Sequence, residues 1–232
     1  MELGEEIVAL RDVFKVYREG EIETIALRGV DLSIKRGEFV AIMGRSGSGK
    51  TTLLNLIAGA DRPTAGKVIV DGIALDRAGE DERERLRSRS IGIIFQAQNL
   101  VPFLTLKENV RLVDALADRA SVSGDATQLL GSVGLADRAD HRPDQVSGGE
   151  QQRAALACVL AASPTVLLAD EITGELDSVT AAEVLGVVRA VHEERGLTVV
   201  LVTHDEEVAA RADRVIRLAD GHVLSNAKAT AA

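Results

Sequence analysis

Along this chain, short uninterrupted apolar runs alternate with stretches whose apolar residues recur at helical spacing. Phe39–Met43 and residues 91–95, 166–169 and 198–202 are continuous rather than alternating, the pattern of strands buried on both faces. Residues 53–58, 181–191 and 206–212 read as helices. Strands alternating with helices predict an α/β fold built on a mainly parallel sheet with helices on both faces. The opening third differs: residues 7–16, 26–34 and 67–70 are spaced like antiparallel strands, with turns at Lys35-Arg36-Gly37 and Asp71-Gly72.

The middle of the chain lacks strong strand runs. Residues 106–117, 126–133 and 149–161 look helical, with a flexible stretch at 120–125 between the first two. The expected organisation is therefore one domain: a core from residues 1–96 and 162–226 that carries an antiparallel β subdomain, and an inserted helical subdomain at 97–161. The small, polar end, residues 225–232, is expected to fray, with 227–232 disordered. Residues 81–89 alternate in charge sign, which suits a solvated helix face better than a docking patch.

Composition narrows the functional classes. Of 232 residues 46% are hydrophobic, enough for a sizeable core, and the formal net charge is -9. A protein whose main ligand is a nucleic-acid backbone carries a basic face, so no nucleic-acid partner is expected. Cys158 is the sole cysteine, so no intrachain disulfide forms and a reducing compartment fits. The start, Met1-Glu2-Leu3-Gly4-Glu5-Glu6, lacks the basic residues and apolar core of a signal peptide. No apolar run approaches the roughly 18–20 residues needed to cross a bilayer, so any membrane role is expected to come through a partner.

The chemistry begins at Gly44-Arg45-Ser46-Gly47-Ser48-Gly49-Lys50-Thr51, which fits G-x-x-x-x-G-K-[ST] between an apolar strand and a helix. Glycines let backbone N–H groups turn inward and ring a phosphate, and the helix N-terminus adds a field that favours negative charge. Lys50 is expected on the β- and γ-phosphates of ATP, the Thr51 hydroxyl on Mg²⁺, and Thr52 near the α-phosphate. A glycine-rich turn with an incidental lysine is the bland alternative. Average residue usage makes a chance match on the order of one in a thousand, and the flanking strand and helix weigh further against it. Downstream, Val166-Leu167-Leu168-Ala169-Asp170-Glu171 is an apolar strand ending in two carboxylates. Taken alone these are solvated acids. Beside a phosphate loop, Asp170 is placed to organise Mg²⁺ and Glu171 to polarise a water in line with the γ-phosphate.

Val146-Ser147-Gly148-Gly149-Glu150-Gln151-Gln152-Arg153 resembles the signature of ABC-type ATPases, shortly before the acidic strand as that family requires. Ser147, with Glu150 three residues on, also forms a capping box, and a capped helix tip is what makes an anion site. The resemblance implies that Ser147, Gly148, Gly149 and Glu150 contact the γ-phosphate of ATP held by a second copy of the chain. It implies further that Gln96 senses Mg²⁺ and γ-phosphate, Asp177 lies at the subunit interface, His204 contacts the γ-phosphate and attacking water, and Tyr17 stacks on adenine. His141, His192 and His222 match nothing and read as surface residues, while Cys158 reads as a small buried helix residue. The similarity runs from about residue 7 to 224 and is closest to macrolide-export, lipoprotein-release and cell-division ATPases (MacB, LolD and FtsE types). It rests there on Gly92-Ile93-Ile94-Phe95-Gln96 with Asn99-Leu100-Val101-Pro102, and on residues 168–178.

Departures from the family pattern are Val146 for Leu, Arg45 for Pro, Cys158 for Arg, Ile172 for Pro and Glu175 for Asn. No catalytic side chain is missing, so an active ATPase is expected. The implied complex is a head-to-tail homodimer with two ATP between the copies, driving transmembrane permease subunits of a MacB- or FtsX-like type from the cytoplasmic side of the membrane. A coupling helix of the partner is expected in a cleft near residues 96–103. The competing readings are an ABC-type ATPase of DNA repair or translation, and a regulator that holds ATP without turnover. This chain has neither the long coiled coil nor the second such domain that mark the first, and Glu171 and His204 argue against the second.

Overall fold

The structure, a computed structural model, describes residues 5–97, 99–117 and 125–228. In chain order the elements are strands β1 (Glu6–Glu19), β2 (Ile22–Lys35) and β3 (Phe39–Met43), helix α1 (Lys50–Ile57), strands β4 (Ala65–Val70) and β5 (Ile73–Ala74), helix α2 (Glu80–Arg89) and strand β6 (Ile91–Ile94). Then come helices α3 (Leu106–Leu116), α4 (Ala126–Ser132) and α5 (Gly148–Ala161), strand β7 (Val166–Asp170), helix α6 (Ser178–Arg195), strand β8 (Thr198–Thr203), helix α7 (Glu206–Ala209) and strands β9 (Arg214–Ala219) and β10 (His222–Lys228). The chain divides into two compact units, Met1–Arg87 with Thr198–Ala232, and Ser88–Leu197.

The first unit holds two layers of strands. One is the antiparallel sheet β2-β1-β4-β5 expected from the opening third. In the other, β3 lies between β8 and β9 and runs parallel to both, and β10 adds antiparallel outside β9. Every residue of β3 and β8 is buried, which is why both read as unbroken apolar runs. The threonines that end β8 are satisfied locally: Gly37 N donates to Thr198 Oγ1 at 2.9 Å and Asp205 N to Thr203 Oγ1 at 3.0 Å. Two tight hairpins need left-handed backbone, at Asp71-Gly72 (φ 46° and 79°) and Asp220-Gly221 (φ 48° and 78°). The second hairpin corrects the sequence reading, which placed no strand after residue 202. Its marks are the Asp-Gly pair and an alternation that sends Ile216 and Leu218 inward and Arg217 outward. Because β10 pairs with β9 through Lys228, residues 225–228 do not fray; 229–232 lie outside the described residues.

In the second unit β6 and β7 pair in parallel, and α5 packs on β6 where a Cβ at Gly92 would collide with Val159. Helices α3, α4 and α6 pack against α5. Most of the helices start where a side-chain oxygen caps them: Thr105 with Glu108 for α3, Asp125 for α4, Ser147 with Glu150 for α5 and Asp177 for α6. Helix α6 therefore begins three residues before its apolar periodicity, and it stops at Gly196, left-handed at φ 63°. Of the stretch 120–125, read as flexible, only Asp125 is among the described residues. His192 is not a surface residue. It is buried in the last turn of α6, with ring Nδ1 2.7 Å from Leu197 O. Cys158 is buried as expected, and burial pushes its thiol up to about 12.

Arg214, at the start of β9, joins the layers of the first unit. Its Nε and Nη2 reach Glu38 at 2.6 and 2.9 Å, Nη2 also donates to Ser33 O on β2 at 2.7 Å, and Nη1 donates to Asn226 on β10 at 2.6 Å. Arg and Glu side chains here are only 17% and 19% exposed, so removing one leaves the other desolvated without its partner. Arg214→Met is expected to cost about 2–4 kcal/mol, read from urea denaturation midpoints. Arg214→Lys should recover less than half of that, because an ammonium cannot reproduce the planar fork.

Candidate functional site

The site's first half is the loop between β3 and α1. Gly47 and Gly49 have φ of 78° and 102°, which turns successive N–H groups to one side. Gly44 is required for a different reason: a Cβ there would collide with Leu218 O and Ser48 Oγ. Lys50 is 7% exposed, and its ammonium donates to Gly44 O at 2.8 Å and Arg45 O at 3.1 Å, which holds it over the loop. Ser48 Oγ is buried without a partner in the protein. Gly221 N donates to Ser48 O at 3.1 Å and anchors the loop from below. A ring of N–H groups, a helix N-terminus, a buried ammonium and an orphan hydroxyl together fit a polyphosphate. Thr51 is exposed and Thr52 half-buried in the first turn of α1.

Two more of the expected residues join the loop in this unit. The register Met43↔Thr203 puts the exposed His204 and Gly44 at the same end of neighbouring parallel strands. Tyr17, on β1, donates its hydroxyl to Asp61 Oδ2 at 2.9 Å. Burial first, then Asp61, raises the phenol above its ordinary value.

The second unit carries the rest. The register Ile94↔Ala169 brings Gln96, Asp170 and Glu171 to one end of the parallel pair β6–β7. Glu171 is left-handed at φ 48°, a conformation unfavourable for a residue with a Cβ. Gln96 Nε2 lies 3.4 Å from Glu175 Oε1, and its carbonyl accepts a 2.7 Å bond from Gln152 Nε2 on α5. At the tip of α5, Ser147 Oγ accepts from Glu150 N at 3.3 Å while Ser147 N donates to Glu150 Oε2 at 2.8 Å. That backbone bond, with lesser help from the Ser147 hydroxyl and Arg138, holds the Glu150 carboxyl below the ordinary range against its partial burial. Asp177 caps α6 through Val179 N and Thr180 N, both at 3.0 Å, and takes a 2.6 Å bond from Thr180 Oγ1. The Thr180 hydroxyl is the largest cause of the depressed Asp177 carboxyl.

Sequence reasoning gave no role to Asn99, Asn109 or Gln152. Buried Asn109 binds Val101 N and the carbonyls of Val101, Leu104 and Thr105, which fixes the loop before α3. Asn99 closes a pair of bonds with Phe95 backbone and reaches Gln152 at 3.4 Å. This loop and the tip of α5 wall a cleft of about 630 Å³, lined by Gln96, Val101, Gln151, Ile172, Glu175 and Leu176 among others. Amides that serve backbone groups leave no pattern in a single sequence.

The two half-sites, a phosphate loop and an acidic strand end with a capped serine–glycine helix, define a nucleotide-binding cassette. The family model described as ABC transporter matches residues 27–174. The chain belongs to this family and is an ATP-binding cassette of it. It is 45% identical to the uncharacterized ABC transporter ATP-binding protein MJ0796 of Methanocaldococcus jannaschii, covering 94% of this chain and 95% of that protein. It is 43% identical to the lipoprotein-releasing system ATP-binding protein LolD of Geobacter metallireducens (95% and 99% covered) and 43% identical to the macrolide export ATP-binding/permease protein MacB of Brucella melitensis. In the last case it covers 96% of this chain but only 35% of the relative, so the chain spans about a third of that protein. The solved dimer of MJ0796 in a post-hydrolysis state with ADP and Pi superposes with a TM-score of 0.86 at 44% identity, covering 96% of this chain and 99% of that one.

The tip of α5 offers a stringent test. A Cβ at Gly149 would land on Thr180 Cγ2, and that methyl cannot swing away because Thr180 Oγ1 is tied to Asp177. Gly149→Ala is therefore expected to destabilise by about 1–2 kcal/mol, despite the roughly 1 kcal/mol gain in helix propensity. Adding Thr180→Ser, which removes the methyl and keeps the hydroxyl, should restore thermal stability. A Gly149→Ala protein as stable as the parent would show that the contact does not constrain the helix tip.

Proposed function

We propose that this chain is the ATP-hydrolysing subunit that drives separate membrane-spanning permease chains of the MacB/FtsX type, working at the cytoplasmic face of the membrane. The reading is carried by the phosphate loop, whose left-handed glycines, buried Lys50 ammonium and orphan Ser48 hydroxyl suit a triphosphate. Mg²⁺ fits a site with few protein ligands, because it keeps waters and leans on phosphate oxygens. Thr51, Asp170 and Gln96 are its proposed ligands. Glu171 takes the proton of the attacking water, and His204 steadies that water and the γ-phosphate.

Two copies are proposed to meet head to tail, with Ser147, Gly148, Gly149 and Glu150 of one closing over ATP on the phosphate loop of the other and Asp177 beside the contact. ATP then stabilises the closed dimer, and loss of the γ-phosphate releases it. The cleft around Gln96 and Val101 is the proposed seat of the permease's coupling helix. Among the described residues no helix is long and apolar enough to cross a membrane.

Glu171→Gln is expected to slow phosphate release by about 10²–10⁴-fold while ATP binding persists, and to run as a dimer with ATP in size-exclusion chromatography. Parent-rate hydrolysis by that variant would remove Glu171 from the base role, and a monomer at saturating ATP would remove the sandwich. Lys50→Ala is expected to abolish measurable ATP binding by calorimetry; unchanged affinity would contradict the loop assignment.

A further inference from the structure

Tyr17 does not stand on its strand as a free aromatic. Its hydroxyl donates to Asp61 Oδ2 at 2.9 Å, and Asp61 Oδ1 in turn accepts a 2.6 Å bond from Lys15 Nζ. The same ammonium donates to Arg62 O at 2.9 Å and sits 4.7 Å from the centre of the Tyr17 ring. Lys15 is almost enclosed, its side chain 11% exposed, whereas Tyr17 keeps 37% of its surface open. One face of the ring is thus covered by a cation, and the hydroxyl at its edge is pinned by a carboxylate. The cluster draws on β1 and on the segment that follows α1, the helix that begins at Lys50.

We infer that Lys15 and Asp61 are positioning residues for nucleotide binding, which lock the Tyr17 ring so that its single open face receives the base while the loop holds the phosphates. This rests on the proposed reading of Tyr17 as the base platform. The physical gain is preorganisation. A free tyrosine on a strand end samples several rotamers and must lose that freedom when a base stacks on it, whereas a ring already fixed at its hydroxyl and one face has little left to lose. The ammonium at one face also limits stacking to the other. Because the hydroxyl is committed to Asp61, the platform offers the base a π-face and no donor, so it contributes affinity through stacking.

The test compares ATP with inorganic tripolyphosphate, each with Mg²⁺, by calorimetry on the full chain. Tyr17→Ala should weaken ATP binding about tenfold or more and leave tripolyphosphate unchanged. Asp61→Asn, Lys15→Met and Tyr17→Phe, which keep the ring, should each weaken ATP about 3–10-fold with tripolyphosphate again unchanged. Lys15→Arg, which keeps a cation over the ring, should lie closer to the parent than Lys15→Met. If Tyr17→Ala weakens ATP while Asp61→Asn and Tyr17→Phe bind it as the parent does, the ring is a platform that needs no lock and the inference fails alone. If Tyr17→Ala leaves ATP affinity intact, the platform reading fails and takes the inference with it. If tripolyphosphate affinity falls together with that for ATP in Asp61→Asn, the cluster braces the loop instead of the ring, which also overturns it.

Discussion

The constraint on which this molecule turns is that backbone N–H groups must surround an anion without side chains intervening. That demands left-handed residues at Gly47 and Gly49 and no Cβ at Gly44, where Leu218 O and Ser48 Oγ already fill the space. It also demands a rigid base, and the surroundings supply one. β3 is buried throughout its length, β8 and β9 flank it in parallel, and the turn of the β9–β10 hairpin donates a hydrogen bond to the loop carbonyl at Ser48. The hairpin is thus part of the site's foundation, though none of its residues belongs to the motif. Lys50 completes the arrangement, its buried ammonium donating to the loop carbonyls of Gly44 and Arg45.

In the other unit, capped helix tips carry the residues that the family resemblance singles out. Ser147 and Asp177 each satisfy the N–H groups of a helix start, and both are read as contacts between copies. The two roles are compatible, since a capping side chain occupies one or two of the free N–H groups and leaves the rest of the first turn directed outward. Gly149 permits the tip of α5 to approach Thr180, and Thr180 is bonded to Asp177. The start of α5 is therefore braced against the start of α6 by packing on one side and a hydrogen-bonded cap on the other. A change at either tip is transmitted to its neighbour through contacts of fixed geometry.

Much of this was legible in the sequence because the physics is local. A continuous apolar run such as Phe39–Met43 can only be a strand buried on both faces or part of a buried helix, and the glycine-rich loop after it decides between them. The capping box at Ser147 and Glu150 is legible for the same reason, since donor and acceptor lie three residues apart. What escaped was set by partners distant in sequence. Arg214, 176 residues from Glu38, gives no local sign that it ties three elements together. His192 read as a surface residue because it matches no motif, yet its ring is used to close the end of α6 on Leu197 O. The hairpin of β9 and β10 did carry a local mark, Asp220-Gly221, but arginines interrupt β9 at 214 and 217 and β10 is largely polar, so both lack the apolar density of β3.

Glu171 shows why the legible and illegible parts meet at the functional residues. Its identity, at the end of an apolar strand beside Asp170, points to chemistry, but nothing in the sequence announces that its backbone is left-handed. A glycine or asparagine would adopt φ 48° with less strain, of order 1–3 kcal/mol, and neither could hold and release a proton. A carboxylate at a position that local energetics would assign to another residue is what the proposed role of Glu171 as base requires. The strain is held in place by its neighbours: Gly174 N closes a turn onto Glu171 O at 2.9 Å, and Ile172 beside it is buried. Substituting Ile172 for the proline common in the family leaves that turn closed, so the turn depends on the hydrogen bond and on burial, not on a ring that fixes φ.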